Sequence, residues 1–186
     1  MAQTIEKPNT PTVACCFQSA AIISEQGDTA DSVIERVIAQ LRREGKKVVG
    51  LRQYTSINDC PDGSSTLLNI ESGSTHSLSD ASGADASCYT VNSKALERTA
   101  KDLLDLIGDI PDLIVINRFG QCESDGGGFC CVITQAIEQQ IPLLTVVNSK
   151  WQQNWHDYAP GHMTTLPPSY ECVLNWCRRT LQTKAS

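Results

Sequence analysis

Short apolar runs alternate with amphipathic stretches along this chain, and that rhythm constrains its fold more than any other feature. Residues 12–17 (TVACCF) read as a buried strand, and residues 18–27 as the loop that leaves it. Residues 28–44 follow, with Val33, Val37, Ile38 and Leu41 at helical spacing and Gly45 placed as a C-cap. Residues 47–53 (KVVGLRQ) read as the second strand. A helical crossover of this kind joins parallel strands, so the unit is βαβ. The rhythm resumes with a helix at 93–107, carrying Leu96, Leu103, Leu104 and Ile107 on one side. A strand at 112–117 (DLIVIN), a glycine-rich loop at 120–128 and a helix at 129–140 come next. Then come a strand at 142–147 (PLLTVV), a short helix at 150–158, an edge strand at 163–166 and a last helix from Pro168-Ser169 to Leu181. The expected fold is a three-layer α/β sandwich with a mainly parallel sheet.

Residues 55–89 break the pattern, being rich in Ser, Gly, Asp and Asn. They read as a β-hairpin excursion, with strands at 66–71 and 75–79 around Ser72-Gly73-Ser74; disorder of part of the segment is the alternative. Residues 1–11 read as a loose tail, and the length of 186 residues fits one domain from residue 12 onward.

The net charge of −6, with no Lys/Arg cluster beyond the pairs Arg42-Arg43 and Arg178-Arg179, argues against nucleic acid or an anionic membrane as partner. Residues 1–12 lack the basic and apolar regions of a signal peptide, and no run approaches the ~18 apolar residues of a membrane span. A cytoplasmic location is therefore expected, where thiols stay reduced. The nine cysteines are odd in number and form no C-x-x-C motif, which counts against disulfides and zinc. Cys15 and Cys16 are adjacent in a strand and face opposite ways. Cys172 and Cys177 lie about 140° apart round a helix. Cys122, Cys130 and Cys131 flank the glycine loop, where a soft-metal or redox role is the alternative to an inert structural one. No metal site, nine free thiols and no catalytic arrangement of His76, His156 or His162 are expected. Trp151, Trp155 and Tyr158 read as an aromatic stripe packed on the core, with stacking of a base on Trp151 as the alternative.

Ligands of open parallel sheets bind outside the carboxyl ends of the strands. The loops so selected are 18–29, 117–128 and 148–151. In the first, the Walker pattern G-x-x-x-x-G-K-[ST] places Ile22 at the first glycine, then Gly27, Asp28 and Thr29. The second glycine and the hydroxyl survive, but an aspartate replaces the lysine that would touch phosphate. The alternative is a plain loop with Asp28 capping the helix. In the second loop, a magnesium-holding Asp would end the apolar strand of a P-loop enzyme. This strand ends in Asn117 and Arg118, a poor magnesium ligand beside a competing cation. Phe119, Gly120, Gln121, Cys122 and Glu123 follow, and then Gly126, Gly127 and Gly128 stand before a helix, an arrangement suited to an anion. Arg118 offers a charge-assisted fork and is the residue on which anion binding should depend, with little effect on stability. A turn in which Glu123 and Asp125 cap the helix is the alternative.

The run LIVINRFGQCESDGGG, the Gly27-Asp28 helix start and the strand IPLLTVVN resemble domain-of-unknown-function family 2478, whose members are often labelled molybdenum transporter ATP-binding proteins. The resemblance covers most of the chain after residue 12; its most specific part is Asn117, Arg118, Phe119, Gly120 and Glu123. It implies a P-loop NTPase-like fold and a link to molybdate metabolism. The loop is also similar to the nucleoside-triphosphatase branch of P-loop proteins, where an Asp-Glu-x-Gly-x-x-Glu run follows the corresponding strand. Gly120 and Glu123 match it, and Asn117-Arg118 replaces the acidic pair. One departure stands out: Ser87-Cys88-Tyr89-Thr90 occupies the place of a usual Gly-Cys-Arg-Leu-Asp run.

Three functions from different classes follow. The first is a degenerate P-loop-like module binding a small anion, a nucleotide or an oxyanion such as molybdate, through Gly27, Asp28, Thr29, Asn117, Arg118, Gly120, Glu123 and Gly126 to Gly128. The second is a divergent nucleoside triphosphatase, which the missing lysine and the Asn117-Arg118 pair count against. The third is a scaffold acting as a homodimer through an exposed sheet edge.

Overall fold

The central strands are apolar on both faces, and this dictates the layers. A computed structural model describes residues 17–25, 27–54, 66–77, 93–158 and 162–183. In chain order the elements are β1 (Gln18–Ile23), α1 (Gly27–Arg43), β2 (Val48–Tyr54), β3 (Thr66–Asn69), β4 (Thr75–Ser77), α2 (Ser93–Ile107) and β5 (Leu113–Phe119). They continue with α3 (Gln121–Ser124), α4 (Cys130–Glu138), β6 (Leu143–Val147), a 3₁₀ turn (Ser149–Trp151), α5 (Gln152–Tyr158), β7 (His162–Leu166) and α6 (Tyr170–Thr183). The sheet runs β4-β3-β2-β5-β6-β1-β7. Its strands β2, β5, β6, β1 and β7 are parallel to one another, while β3 and β4 add an antiparallel hairpin at the β2 edge.

Along β5, Leu113 and Val115 pack with α1 and α6, whereas Ile114 and Ile116 pack with α2, α4 and α5. Burial on both faces is the mark of a parallel sheet between helical layers. The result is the expected three-layer α/β sandwich, P-loop NTPase-like, with its hairpin excursion. The hairpin turns where predicted. Strand β3 stops at Asn69 because the side chain of that residue accepts the N–H groups of Glu71 and Ser72, at 2.9 and 3.1 Å.

The first strand differs from the expectation. Residues 18–23, expected as loop, form β1, in which Ala20, Ala21 and Ile22 are fully buried. Of the expected strand at 12–17, only Phe17 belongs to the described residues. Two apolar runs adjoin here, and Gln18 and Ser19 look like loop residues; yet Ser19 is small enough to be buried in the strand. The tail, the segment around Cys88 and the thiols Cys15, Cys16 and Cys60 also lie outside the described residues. Among those described, no helix is long and apolar enough to cross a membrane.

The parallel strands all end at one edge of the sheet, so the β1–α1 and β5–α3 connections emerge together there. They do not leave adjacent strands, because β6 lies between β1 and β5.

Close approach of β2 to β5 requires Gly50, whose φ is +138° and whose added Cβ would lie 1.9 Å from the Val115 carbonyl oxygen. Gly50→Ala should therefore destabilise the fold by about 3 kcal/mol, from overpacking and backbone strain together. Urea denaturation measures it; a loss below about 1 kcal/mol would contradict this reading of the β2–β5 contact.

Candidate functional site

Strand β5 carries the polar residues to the carboxyl edge. Its register against β6 shifts between Ile116 and Phe119, so β5 holds an extra residue there. A bulge of this kind re-aims side chains next to functional sites. Asn117 and Arg118, although consecutive, both reach α1. Asn117 Nδ2 donates to Asp31 Oδ1 at 2.6 Å. Arg118 Nη2 donates to Asp31 Oδ1 and Oδ2 at 3.3 and 3.2 Å, and its Nε donates to Gln53 Oε1 at 3.0 Å. Phe119 then turns to the opposite layer and meets Trp155 edge-on, with centroids 5.1 Å apart.

Arg118 thus ties β5 to α1 and β2, with its side chain 30% exposed and that of Asp31 18% exposed. Its removal should cost stability as well as charge, in contrast to the sequence-based expectation, because among the described residues Asp31 would keep only the Asn117 amide as partner. Asn117 is buried, and its Oδ1 has no hydrogen-bond partner among the described residues. Neither Asp31 nor Gln53 stood out in the sequence. One signal was available: Asp31 lies in helical register with Ile34 and Ile38, placing a carboxylate on the buried stripe of α1.

The glycine-rich loop closes on itself. Glu123, 4% exposed, lies inside it. Its Oε2 accepts the Gly120 N–H at 2.9 Å and its Oε1 the Phe129 N–H at 3.2 Å. The N–H groups of Gly126 and Gly127 donate to the carbonyls of Glu123 and Cys122. Gly128 has φ +56°, and a Cβ there would lie 2.1 Å from Glu123 Oε1, so the glycine leaves room for this carboxylate. Glu123 shares no hydrogen bond or ion pair with Arg118.

The β1–α1 connection spans only residues 24–26, and Ile22, aligned with the first Walker glycine, is buried in β1 between Val146 and Leu166. The position aligned with the first Walker glycine thus lies inside a strand rather than in a loop, because the strand ends later than its apolar run suggested. Gly27 and Asp28 begin α1. Thr29 is exposed and lines a cleft of about 530 Å³ with Ser32, Val33, Arg36, Pro168, Tyr170 and Glu171. The helical repeat puts Thr29 about 200° from Asp31, so the two serve different sides of α1. At the third loop, Asn148 accepts the Lys150 N–H and donates to the Glu25 carbonyl at 3.4 Å.

Burial, reinforced by Glu123, pushes the Cys122 and Cys130 thiols above their ordinary range. Burial pushes Cys177 up to about 12. Thiols so shifted are poor nucleophiles. No group of His, Cys, Asp and Glu side chains among the described residues is arranged to hold a metal ion. Trp155 is buried in the core, and Trp151 is half-buried and packs against it.

Glu123→Ala should destabilise the protein by about 3 kcal/mol, since it strands two loop N–H groups, and Glu123→Gln, which keeps one acceptor oxygen, by less. Chemical denaturation of both variants checks the order; equal losses would mean that the carboxylate does not organise the loop.

No solved structure matches this chain. A molybdenum import ATP-binding protein (ModC 2) of Bradyrhizobium diazoefficiens is 27% identical over 166 residues. The match takes in 87% of this chain, which spans only 18% of that protein's length. The family described as "Protein of unknown function (DUF2478)" matches residues 19–176, from β1 into α6 and through the whole Asn117–Gly128 region. The chain belongs to this DUF2478 family.

Proposed function

We propose that the chain is a degenerate P-loop-like module that binds a small anion, a nucleotide or an oxyanion such as molybdate, without hydrolysing it, in molybdenum metabolism. The observation that carries this reading is the Arg118 guanidinium, held at the carboxyl edge of a parallel sheet, the place where such sheets take ligands. Asn117, Gly120 and the start of α1 at Gly27, Asp28 and Thr29 emerge from the same edge. The name of the ModC relative supports the link to molybdenum and to ATP. Against hydrolysis stand the three-residue β1–α1 connection, the aspartate at position 28 and the Asn117-Arg118 pair.

Asp31 neutralises Arg118, so an incoming anion competes with this carboxylate. That competition gives the site a testable sign. Asp31→Asn keeps an oxygen for the Asn117 amide but removes the charge. It should strengthen binding of molybdate or ADP at this edge about tenfold, roughly 1.4 kcal/mol. Arg118→Gln should abolish the Asp31-sensitive binding. Calorimetric titration of the parent, the two variants and the double variant decides the matter, and a gain from Asp31→Asn that persists without Arg118 would overturn the assignment. Magnesium-dependent ATP or GTP turnover should be negligible; a rate near the ~10 s⁻¹ of ordinary enzymes would return the chain to the triphosphatases.

A further inference from the structure

Arg36 of α1 is in the opposite electrostatic situation to Arg118 of β5. Arg36 lies on the side of α1 turned away from Asp31, and its guanidinium carbon sits 4.3 Å from the centroid of the Tyr170 ring. Such stacking fixes the guanidinium plane while leaving its N–H edges free to donate. Arg118 gives its Nε to Gln53 and its Nη2 to Asp31. Arg36 has no hydrogen bond or carboxylate partner among the described residues. The exposed hydroxyl residues Thr29 and Ser32 precede it by seven and four positions and line the same cleft. That spacing puts all three on one face of the helix.

The cleft has the volume of a small-ligand site: about 530 Å³, within the range of roughly 300–1,000 Å³ that such sites occupy. One wall is the first turns of α1, which leave β1; the other is Pro168, Tyr170 and Glu171, which follow β7. Strands β1 and β7 are parallel neighbours, so the cleft opens at the carboxyl edge of the sheet. Glu171 brings a negative charge, with Ser169 Oγ donating to its Oε2 at 3.3 Å. The lining charges of Arg36 and Glu171 therefore cancel, and binding here depends on directed hydrogen bonds more than on net charge.

We propose that this cleft is a second anion site, taking a tetrahedral oxyanion in the fork of Arg36 with the Thr29 and Ser32 hydroxyls as further donors. The shared ligand chemistry is that of free phosphate or molybdate and of the phosphate group of a nucleotide. The site does not depend on the Arg118 reading, because its cation, donors and walls are different residues.

The test is calorimetric titration of the full chain with orthophosphate, molybdate and ADP, run in the Arg118→Gln background so that only this site remains. At least one probe should bind with one-to-one stoichiometry, and adding Arg36→Ala should weaken it at least tenfold. Binding of the inorganic ions identifies a free oxyanion as the ligand; binding of ADP alone identifies a nucleotide phosphate. Position 36 is exposed and alanine is a strong helix former, so this substitution preserves the fold. Should Arg118→Gln fail to fold, Arg36→Ala in the parent carries the test. It should remove the tighter binding event, since Arg118 is already neutralised. Overturning results are no binding of any probe at millimolar concentration, or equal affinity with and without Arg36. Loss of all binding in Arg118→Gln alone would assign the anion to the Arg118 edge instead.

Discussion

A parallel sheet of this kind must be covered on both faces, and the rest of the molecule follows from that requirement. The strands β1, β2, β5, β6 and β7 offer apolar side chains alternately to two layers, one built from α1 and α6 and the other from α2, α4 and α5. With both faces filled, polar chemistry is confined to the ends of the strands. The carboxyl ends hold Asp31, Gln53, Asn117 and Arg118 together, although these residues come from three separate elements.

At that edge, partner choice matters more than residue type. Two arginines approach it from opposite sides of α1. Arg118 is caught by a carboxylate of the same fold and serves as a tie between β5, α1 and β2. Arg36 is laid on an aromatic ring and keeps its donors. The same contrast separates the acidic residues. Asp31 works across elements, while Glu123 is turned into its own loop, where it satisfies the Gly120 and Phe129 N–H groups and fixes the need for Gly128.

Much of the architecture was legible in advance, because hydrophobic periodicity is a local property. The spans of α2 and the hairpin, and the strands at 112–117 and 142–147, follow from spacing and turn residues alone. The loop expected from residue 18 is a strand, because a second apolar run adjoins the first and pairs with β6 and β7 from Gln18 to Ile23. That one difference puts the position aligned with the first Walker glycine inside β1. The Asn117-Arg118 pair was visible as a departure from catalytic chemistry, yet its partners were not. Asp31 is 87 residues away from Arg118 in sequence, and no local pattern reports a contact of that range.

The sequence by itself determined the α/β class, the parallel pairing, the hairpin and the absence of a catalytic lysine at the start of α1, since each depends on side-chain period or on residue identity. The tertiary structure alone decided that β6 lies between β1 and β5, that Glu123 closes a loop, and that Asp31 neutralises Arg118 while Arg36 stays unpaired among the described residues. The physical reason is the same in each case. Charge pairing and strand order act through space, and only the folded chain sets the distances on which they depend.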